Sequence, residues 1–265
     1  MRILYIAEIV GKAGLSCVKS QLKTLRTDYD VSFVAANGDA VTGGFGIGKN
    51  HSITLHKLGI DVITAGDQVY FKKDMVVHIE HAHYILRPAN FPPAAPGRGW
   101  RYFNAGDERV AVISLIGQSG YDRIHGSNPF TYLPELAHKA RRETPYVIVD
   151  FHALTTAEKY SMFFSADGQV SAVIGSGTRV QTNDAAVLPG GTGMIGDAGR
   201  TGSLDSVSGL DPGPEIRKFL TSMPERSADA WATPRLQGVL LELSPDGACK
   251  TIEPISVVCK EASGD

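Results

Sequence analysis

Residues 1–14 read MRILYIAEIVGKAG, and this opening stretch sets the fold that the rest of the chain extends. The run from Ile3 to Ala7 is apolar or aromatic, which predicts a strand. It stops on one carboxylate, Glu8, and a small glycine-containing turn follows at residues 10–14. A carboxylate at that point either holds something positively charged or is a solvated strand end. The remainder of the sequence has to distinguish the two.

Further apolar runs recur along the chain, separated by helical patterns and by turns rich in small residues. This alternation predicts a single layered α/β domain over residues 1–265, and the short loops before positions 110 and 172 predict some antiparallel pairing. A C-terminal β-hairpin is expected over about 236–258, around the turn Ser244-Pro245-Asp246-Gly247. The predicted strands are Ile3–Ala7, Val31–Ala36, Val62–Ala65, Val110–Leu115, Tyr146–Asp150, Ala172–Ile174 and Gly193–Ile195, and the predicted helices are roughly Leu15–Arg26, Lys49–Leu58 and Leu133–Arg142.

The composition excludes several classes of protein. With 265 residues, 43% of them hydrophobic, the chain can bury a sizeable core. The net charge of −2 and the lack of a basic block argue against stable nucleic-acid binding. Neither a membrane span nor a signal peptide is apparent, so we expect a cytoplasmic protein. Three cysteines without metal-type spacing, Cys17, Cys249 and Cys259, are expected to be reduced.

Chemistry-bearing side chains follow the predicted strands. Glu8 ends the first strand, Asp39 follows the second, Asp67 the third, and His152 the strand near 146. In open α/β sheets, ligands bind outside the carboxyl ends of the strands, so these four side chains are expected in one crevice. Three carboxylates and an imidazole suit a divalent cation. Each acid taken alone is more often simply solvated.

Other motifs remain open between a structural role and a binding role. Asn37, Gly38, Gly43 and Gly44 lie in a glycine-rich loop that could cradle phosphate through backbone N–H groups, or form plain turns. The segments RPAN at 87–90 and PGRG at 96–99 carry two arginines suited to phosphate or to structural ion pairs. A histidine cluster, His78, His81 and His83, is expected at a surface helix end.

Several long motifs resemble one family. They are EIVGKAG at 8–14, NGDAVTGGFGI at 37–47, LRPANFP at 86–92, PGRG at 96–99, VDFHA at 149–153, GDAGRTG at 196–202 and DSVSG at 205–209. The chain thereby resembles the YmdB-type metallophosphoesterases, a branch of the calcineurin-like phosphoesterases. The resemblance implies a metallophosphoesterase-like layered β-sandwich with flanking helices. It also implies a two-metal site, often of iron or manganese, that hydrolyses phosphodiesters including 2′,3′-cyclic nucleotides, and a homo-oligomer.

The resemblance also shows where this chain departs from the family pattern. The family has Asp where this chain has Glu8, and Asn-Gly-Glu-Asn where this chain has residues 37–40, NGDA. An Asn-His pair is replaced by Asp67 and Gln68, so an amide stands at the position of the general-acid histidine. The family segment Gly-Thr-His-Thr-His-Val-Gln-Thr becomes GSGTRVQT at 175–182, which places Gly177 and Arg179 where two histidine ligands are expected.

These substitutions leave Glu8, Asp39, Asp67 and His152 as candidate metal ligands. Arg179 replaces a ligand of the first metal, and guanidinium is a permanent cation, so we expect it to occupy the cation's place and to pair with Glu8 or Asp39. The alternative is that Arg179 points to solvent. The resemblance then predicts at most one divalent metal, Mn or Fe, rather than a two-metal site. It also predicts a phosphodiester or nucleotide ligand and weak or lost phosphodiesterase activity. The alternative function is that of a non-catalytic protein that binds a nucleotide-like ligand or a protein partner.

Overall fold

A computed structural model describes residues 1–121 and 125–259 of the protein. These residues form fourteen strands and six helices. The strands are β1 (Arg2–Ile6), β2 (Glu8–Ile9), β3 (Phe33–Asn37), β4 (Val62–Thr64), β5 (Ile85–Leu86), β6 (Trp100–Ala105), β7 (Glu108–Ile116), β8 (Val147–His152), β9 (Ala172–Ser176), β10 (Ala186–Val187), β11 (Gly193–Ile195), β12 (Arg200–Ser203), β13 (Pro234–Leu243) and β14 (Cys249–Val258). The helices are α1 (Gly11–Asp28), α2 (Lys49–Lys57), α3 (Lys73–His78), α4 (Pro129–Ala140), α5 (Thr156–Ala166) and α6 (Pro212–Thr221).

The strands form two sheets. The first has the order β2-β12-β13-β1-β3-β4-β5, with β14 paired to β13, and the second has the order β10-β11-β9-β8-β7-β6. In the first sheet β1, β3, β4 and β5 run parallel, and in the second sheet β7, β8, β9 and β11 do. Because parallel strands end on the same side, each sheet presents several strand ends along one edge.

The first strand explains why the opening sequence is apolar without alternation. Ile3 and Tyr5 belong to the apolar layer between the two sheets. Leu4 and Ile6 belong to the layer beneath α1, which also holds Val18 and other residues of that helix. Successive side chains of a strand point to opposite faces, so a strand covered on both faces is apolar throughout.

The predicted strands and helices are all present, with bounds that differ by a few residues. Helix α4 begins at Pro129, four residues before the predicted start, because Asn128 caps it by accepting a hydrogen bond from the N–H of Phe130 and Pro129 suits the first helical turn. The C-terminal strands β13 and β14 pair antiparallel around the turn in which Gly247 has φ +86°.

The expectation of antiparallel pairing is right for one strand and wrong for another. β7 pairs antiparallel with β6, through the short turn at residues 106–107. β9, near position 172, is parallel to both of its neighbours, β8 and β11, because helix α5 provides the crossover before it. Helices α5 and α6, the strand β6 and the short strands β2, β5, β10 and β12 were not predicted.

Candidate metal centre

Strand ends from both sheets meet at one cleft. Asp39 lies just beyond β3 and Asp67 just beyond β4 in the first sheet, whereas His152 is the last residue of β8 in the second. Nitrogen or oxygen atoms of these three side chains lie within 4.8 Å of one another. Packing of the two sheets therefore assembles the group, and the predicted convergence of these three residues is present.

The three ligands are held at short distances. His152 Nε2 lies 3.0 Å from Asp67 Oδ1 and 3.9 Å from Asp39 Oδ2. Asp39 and His152 are buried, while the Asp67 side chain is 25% exposed and faces the cleft. Gly66 makes this closeness feasible, since a Cβ there would meet the imidazole at 2.3 Å. One open side and two buried ligands suit a cation that also contacts solvent or substrate.

The pKa values of this group show a concentration of negative charge. Burial, opposed by His152 and reinforced by the charges of Asp67 and Glu8, raises the pKa of Asp39 to about 7. Burial alone would lower the pKa of His152, but its hydrogen bond to Asp67 and the charges of Asp39 and Glu8 raise that pKa to about 9. Burial would raise the pKa of Asp67, yet the bond and charge of His152 lower it. The site therefore favours a positive charge among its carboxylates.

Arg179 meets the fourth predicted ligand. Its Nε donates to Glu8 Oε1 at 2.8 Å, with side-chain exposures of 10% for Arg179 and 1% for Glu8. Burial would lower the pKa of Arg179, but Glu8 raises it, with Asp39 and Asp67 adding to the effect. The predicted pairing with Glu8 is confirmed, and the alternative of a solvent-exposed Arg179 is wrong.

The arginine is fixed by its loop as well as by its partner. Its backbone has φ +59°, in the left-handed region. Arg200 Nη1 donates to the Arg179 carbonyl at 2.7 Å. Asp197 accepts from Thr178 N at 2.9 Å and from the buried Lys159 Nζ at 2.8 Å. The GDAGRTG segment at 196–202 therefore supports the loop that carries the guanidinium.

Two buried carboxylate oxygens of the site have no partner among the described residues. They are Asp39 Oδ1 and Glu8 Oε2. Buried acceptors are usually satisfied, so each exception needs an explanation. An ion held by Asp39, Asp67 and His152 would satisfy the Asp39 oxygen, and the carboxylate and imidazole donors match that role. The residues present therefore fit a divalent cation.

A buried hydrogen-bond network orients His152, and the sequence did not reveal it. His152 Nδ1 lies 3.1 Å from Ser176 Oγ, which donates to Asp150 Oδ1 at 2.6 Å. Asp150 also accepts from Asn37 Nδ2 at 3.0 Å and from the Thr64 hydroxyl. This network fixes the imidazole with Nε2 toward the two aspartates, as partners behind metal ligands commonly do.

The glycine-loop residues divide into two groups. Asn37 and Gly38 are engaged internally: the Asn37 amide contacts Asp150 and Ser176, and Gly38 N donates to Thr64 O at 2.9 Å. The Asn37 side-chain amide and the Gly38 N–H therefore have partners within the protein, and phosphate binding at these two residues stays a prediction. Gly43 and Gly44 both have positive φ, and phosphate binding by their loop stays a prediction.

The cleft in front of the site has a volume of about 260 Å³. Gln68 lies on its wall, and its backbone N donates to Asp39 Oδ2 at 3.0 Å. Tyr121 also lines the cleft, with its ring centroid 6.4 Å from that of His152 and its buried hydroxyl without a partner among the described residues. Burial, reinforced by Asp67, Asp39 and Glu8, raises the pKa of Tyr121 above its usual range. Sequence reasoning missed this tyrosine because it lies in an irregular segment far from any motif.

The remaining candidates have local partners. His78 ends α3 with its Nε2 3.1 Å from Tyr84 Oη, and His83 Nδ1 lies 2.8 Å from Arg101 Nη1. Within residues 1–121 and 125–259, the histidine cluster does not form a metal-binding group with other His, Cys, Asp or Glu residues. Cys17, Cys249 and Cys259 are buried and free. No helix in this part of the chain combines the length and apolar character that a membrane crossing needs.

Two packed sheets, flanking helices and a carboxylate–imidazole group at the strand ends define a metallophosphoesterase-type protein. The chain belongs to the YmdB-like protein family, whose pattern matches residues 4–255. The family and fold predicted from the sequence motifs are therefore confirmed.

Known relatives cover almost the whole chain. A 2′,3′-cyclic-nucleotide 2′-phosphodiesterase of Bacillus subtilis is 37% identical over 243 residues, which are 92% of this chain and 91% of that protein. The crystal structure of a hypothetical protein from Thermus thermophilus is similar with a TM-score of 0.90 and 30% identity, covering 97% of this chain and 99% of that one. The crystal structure of a novel phosphatase from Mycoplasma pneumoniae is similar with a TM-score of 0.91 and 29% identity, covering 97% of this chain and 93% of that one.

Proposed function

We propose that this protein is a phosphodiesterase that uses one divalent metal ion and acts on cyclic nucleotides of the 2′,3′ type. The observation that carries the proposal is the buried Glu8–Arg179 ion pair beside the Asp39–Asp67–His152 group. It supports a site with one metal position and one fixed guanidinium. The substrate class comes from the Bacillus subtilis relative, whose 37% identity extends over 92% of this chain.

The donor set supports one ion rather than two. Asp39, Asp67 and His152 supply two carboxylates and an imidazole, a combination that suits Mn²⁺ or Fe²⁺. On the other side, Glu8 directs one oxygen to Arg179 Nε at 2.8 Å, and a guanidinium does not ligate metals. The positive charge that a second ion would bring is supplied there by the arginine.

The metal, when bound, would supply a Lewis acid for the phosphate and lower the pKa of a bound water. The chain's own residues position the remaining groups. Ser176 and Asp150 hold the imidazole of His152, and Arg179, on the wall of the cleft, offers a planar cation suited to phosphate oxygens. The Tyr121 hydroxyl lies on the same wall without a hydrogen-bond partner among residues 1–121 and 125–259, and it is placed to donate a hydrogen bond to a leaving oxygen.

Gln68 limits the rate that this site can reach. It stands at the position that the family resemblance assigns to a general-acid histidine, and an amide cannot release a proton near neutral pH. General acid catalysis contributes about 10²–10⁴-fold. We therefore expect slow turnover, because the Tyr121 hydroxyl, with its raised pKa, can donate a hydrogen bond but is a poor proton donor.

A second candidate function is non-catalytic binding of a nucleotide-like ligand or of a protein partner. Gln68, Gly177 and Arg179 favour it, because together they remove a proton donor and two histidines at positions that the family resemblance assigns to chemistry. The fold and the cleft would be retained in either case, so only metal binding and turnover separate the two functions.

Metal content measured together with hydrolysis tests the proposal. Protein purified without chelator is loaded with Mn²⁺ or Fe²⁺, analysed by elemental mass spectrometry and assayed on 2′,3′-cyclic AMP. We expect about one equivalent of metal and slow hydrolysis, both lost in His152→Ala and retained in the control His138→Ala, which alters an exposed histidine of α4. Two equivalents would overturn the single-ion site, and hydrolysis that persists in His152→Ala would overturn the assigned reaction centre. No metal and no turnover would favour the non-catalytic alternative.

A further inference from the structure

A second cavity, of about 530 Å³, lies where the free edges of the two sheets approach each other. β5 is the edge strand of the first sheet and β6 that of the second, and residues 87–99 connect them. The cavity shares no lining residue with the cleft of the metal centre. Its walls combine three arginines with aromatic rings, namely Arg87, Arg98, Arg101, Trp100, Tyr102 and Tyr132.

The three arginines bring positive charge that is not balanced by ion pairs. Within residues 1–121 and 125–259, none of them lies within 4.0 Å of a carboxylate oxygen. Arg87 is only 7% exposed and donates from Nη1 to the Pro88 carbonyl at 2.7 Å, while its buried Nε has no acceptor among the residues that the structure describes. A buried guanidinium without a counter-charge is costly, so an anion in the adjoining cavity would be stabilising.

The frame of the cavity is rigid. Arg87 N donates to Arg98 O at 3.0 Å, and Ser114 N donates to Gly99 O at 3.0 Å. The two chain segments pass so closely that a Cβ on Gly99 would lie 2.1 Å from the Ala89 Cα. These contacts hold the arginine-bearing segments against the second sheet. A site built in this way binds a ligand without first ordering a loop.

The aromatic part of the wall is also ordered. Trp100 and Tyr102 lie on β6 with their ring centroids 5.3 Å apart and their planes at 78°. Tyr102 Oη donates to the Lys139 carbonyl at 3.0 Å, which fixes the ring against α4. Both rings remain half-buried. Exposed faces of such rings are platforms on which nucleobases stack.

We infer that this cavity binds one nucleotide, with its phosphate on the arginines and its base against the aromatic wall. Guanidinium groups match phosphate oxygens bidentately, and the rings accept any base by stacking. The volume lies in the range of small-ligand sites. The ligand would be a free nucleoside monophosphate or the phosphorylated end of a short RNA strand, which share the same phosphate and base. This site does not depend on the metal centre or on its proposed reaction.

Trp100 provides a direct probe of occupancy. The chain has two tryptophans, so Trp231→Phe leaves Trp100 as the only one. Titration of this variant with 5′-AMP is expected to quench the tryptophan fluorescence with saturation. Adenosine and inorganic phosphate are each expected to bind at least about tenfold more weakly. Adenosine lacks the phosphate that the arginines would contact, and inorganic phosphate lacks the base that would stack on the rings.

Arginine variants in the same background locate the site. Arg98 is exposed, so Arg98→Gln removes a cationic group without opening the core, and it is expected to weaken 5′-AMP binding about tenfold or more. Arg141→Gln, a matched change of an exposed arginine at the end of α4, is expected to have no effect. Unchanged binding by Arg98→Gln, or the absence of saturable quenching by 5′-AMP, would overturn the inference. Tighter binding of 5′-phosphorylated hexaadenylate than of 5′-AMP would identify the strand end as the ligand. Tighter binding of 5′-AMP would identify the free nucleotide.

Discussion

The two halves of the metal-centre cleft balance negative charge in different ways. On one side, oxygen or nitrogen atoms of Asp39, Asp67 and His152 lie within 4.8 Å of one another, and an Asp39 oxygen has no partner in the part of the chain that the structure describes. On the other side Glu8 is neutralised by the fixed guanidinium of Arg179 at 2.8 Å. The first half contains groups that titrate, whereas the second carries a permanent charge supplied by the chain. The comparison shows that one cleft holds its carboxylates in two ways, beside a titratable imidazole and beside a permanent guanidinium.

The largest expected effect comes from removing the cation of the Glu8–Arg179 pair. Arg179→Met leaves Glu8 buried and unpaired, so we expect a loss of about 3–5 kcal/mol in the free energy of unfolding, measured by urea denaturation. The double variant Glu8→Gln/Arg179→Met removes both charges and is expected to recover most of that loss. A single-variant loss below about 1 kcal/mol would show that the pair is not the buried contact that the structure describes.

The stability contributed by the Asp39–Asp67–His152 group should instead depend on pH. In metal-stripped protein, His152 has a pKa raised from 6.5 to about 9. A raised histidine pKa contributes stability that is complete below about pH 6.5 and is lost as pH rises through about 9, at most on the order of 3 kcal/mol. Thermal unfolding between about pH 6 and 9.5, compared with His152→Gln, checks this. A His152→Gln variant with the same pH slope as the wild type would contradict it.

The network behind the imidazole predicts a smaller effect. Ser176→Ala removes the hydroxyl 3.1 Å from His152 Nδ1 and leaves the three proposed ligands in place. Loss of such a partner commonly weakens metal binding by about 10–100-fold, which Mn²⁺ titration calorimetry would measure. Ser165→Ala, on α5, is the control. Equal affinities of Ser176→Ala and the wild type would show that this network does not position His152 for metal.

The smallest expected effect concerns the cleft wall. Tyr121→Phe removes one hydroxyl and is expected to lower kcat on 2′,3′-cyclic AMP about tenfold while the metal content stays unchanged. Tyr29→Phe, which alters an exposed tyrosine next to the end of α1, is the control. A Tyr121→Phe variant with the wild-type kcat would exclude this hydroxyl from the reaction.

The sequence predicts those features that local pattern or simple chemistry determines. The run at Ile3–Ala7 identified β1 because a strand covered on both faces is apolar without interruption. The pairing of Arg179 with Glu8 was predicted from charge, since a buried carboxylate requires a neighbouring cation.

Other features depend on contacts between distant parts of the chain. Asn37 and Asp150 are 113 positions apart and meet only when the two sheets pack, so their network has no sequence signature. Gly38 lies in a motif that suggested phosphate binding, yet its N–H is taken by Thr64. Tyr121 lies outside every recognisable pattern, and its place beside His152 is set by tertiary packing alone.

Anomalous diffraction from crystals soaked in Mn²⁺ tests the central claim most directly, because it both counts and locates the ions. We predict one anomalous peak, contacted by Asp39, Asp67 and His152, with Arg179 still hydrogen-bonded to Glu8. A second peak between Glu8 and Asp39, with Arg179 displaced from the cleft, would contradict it.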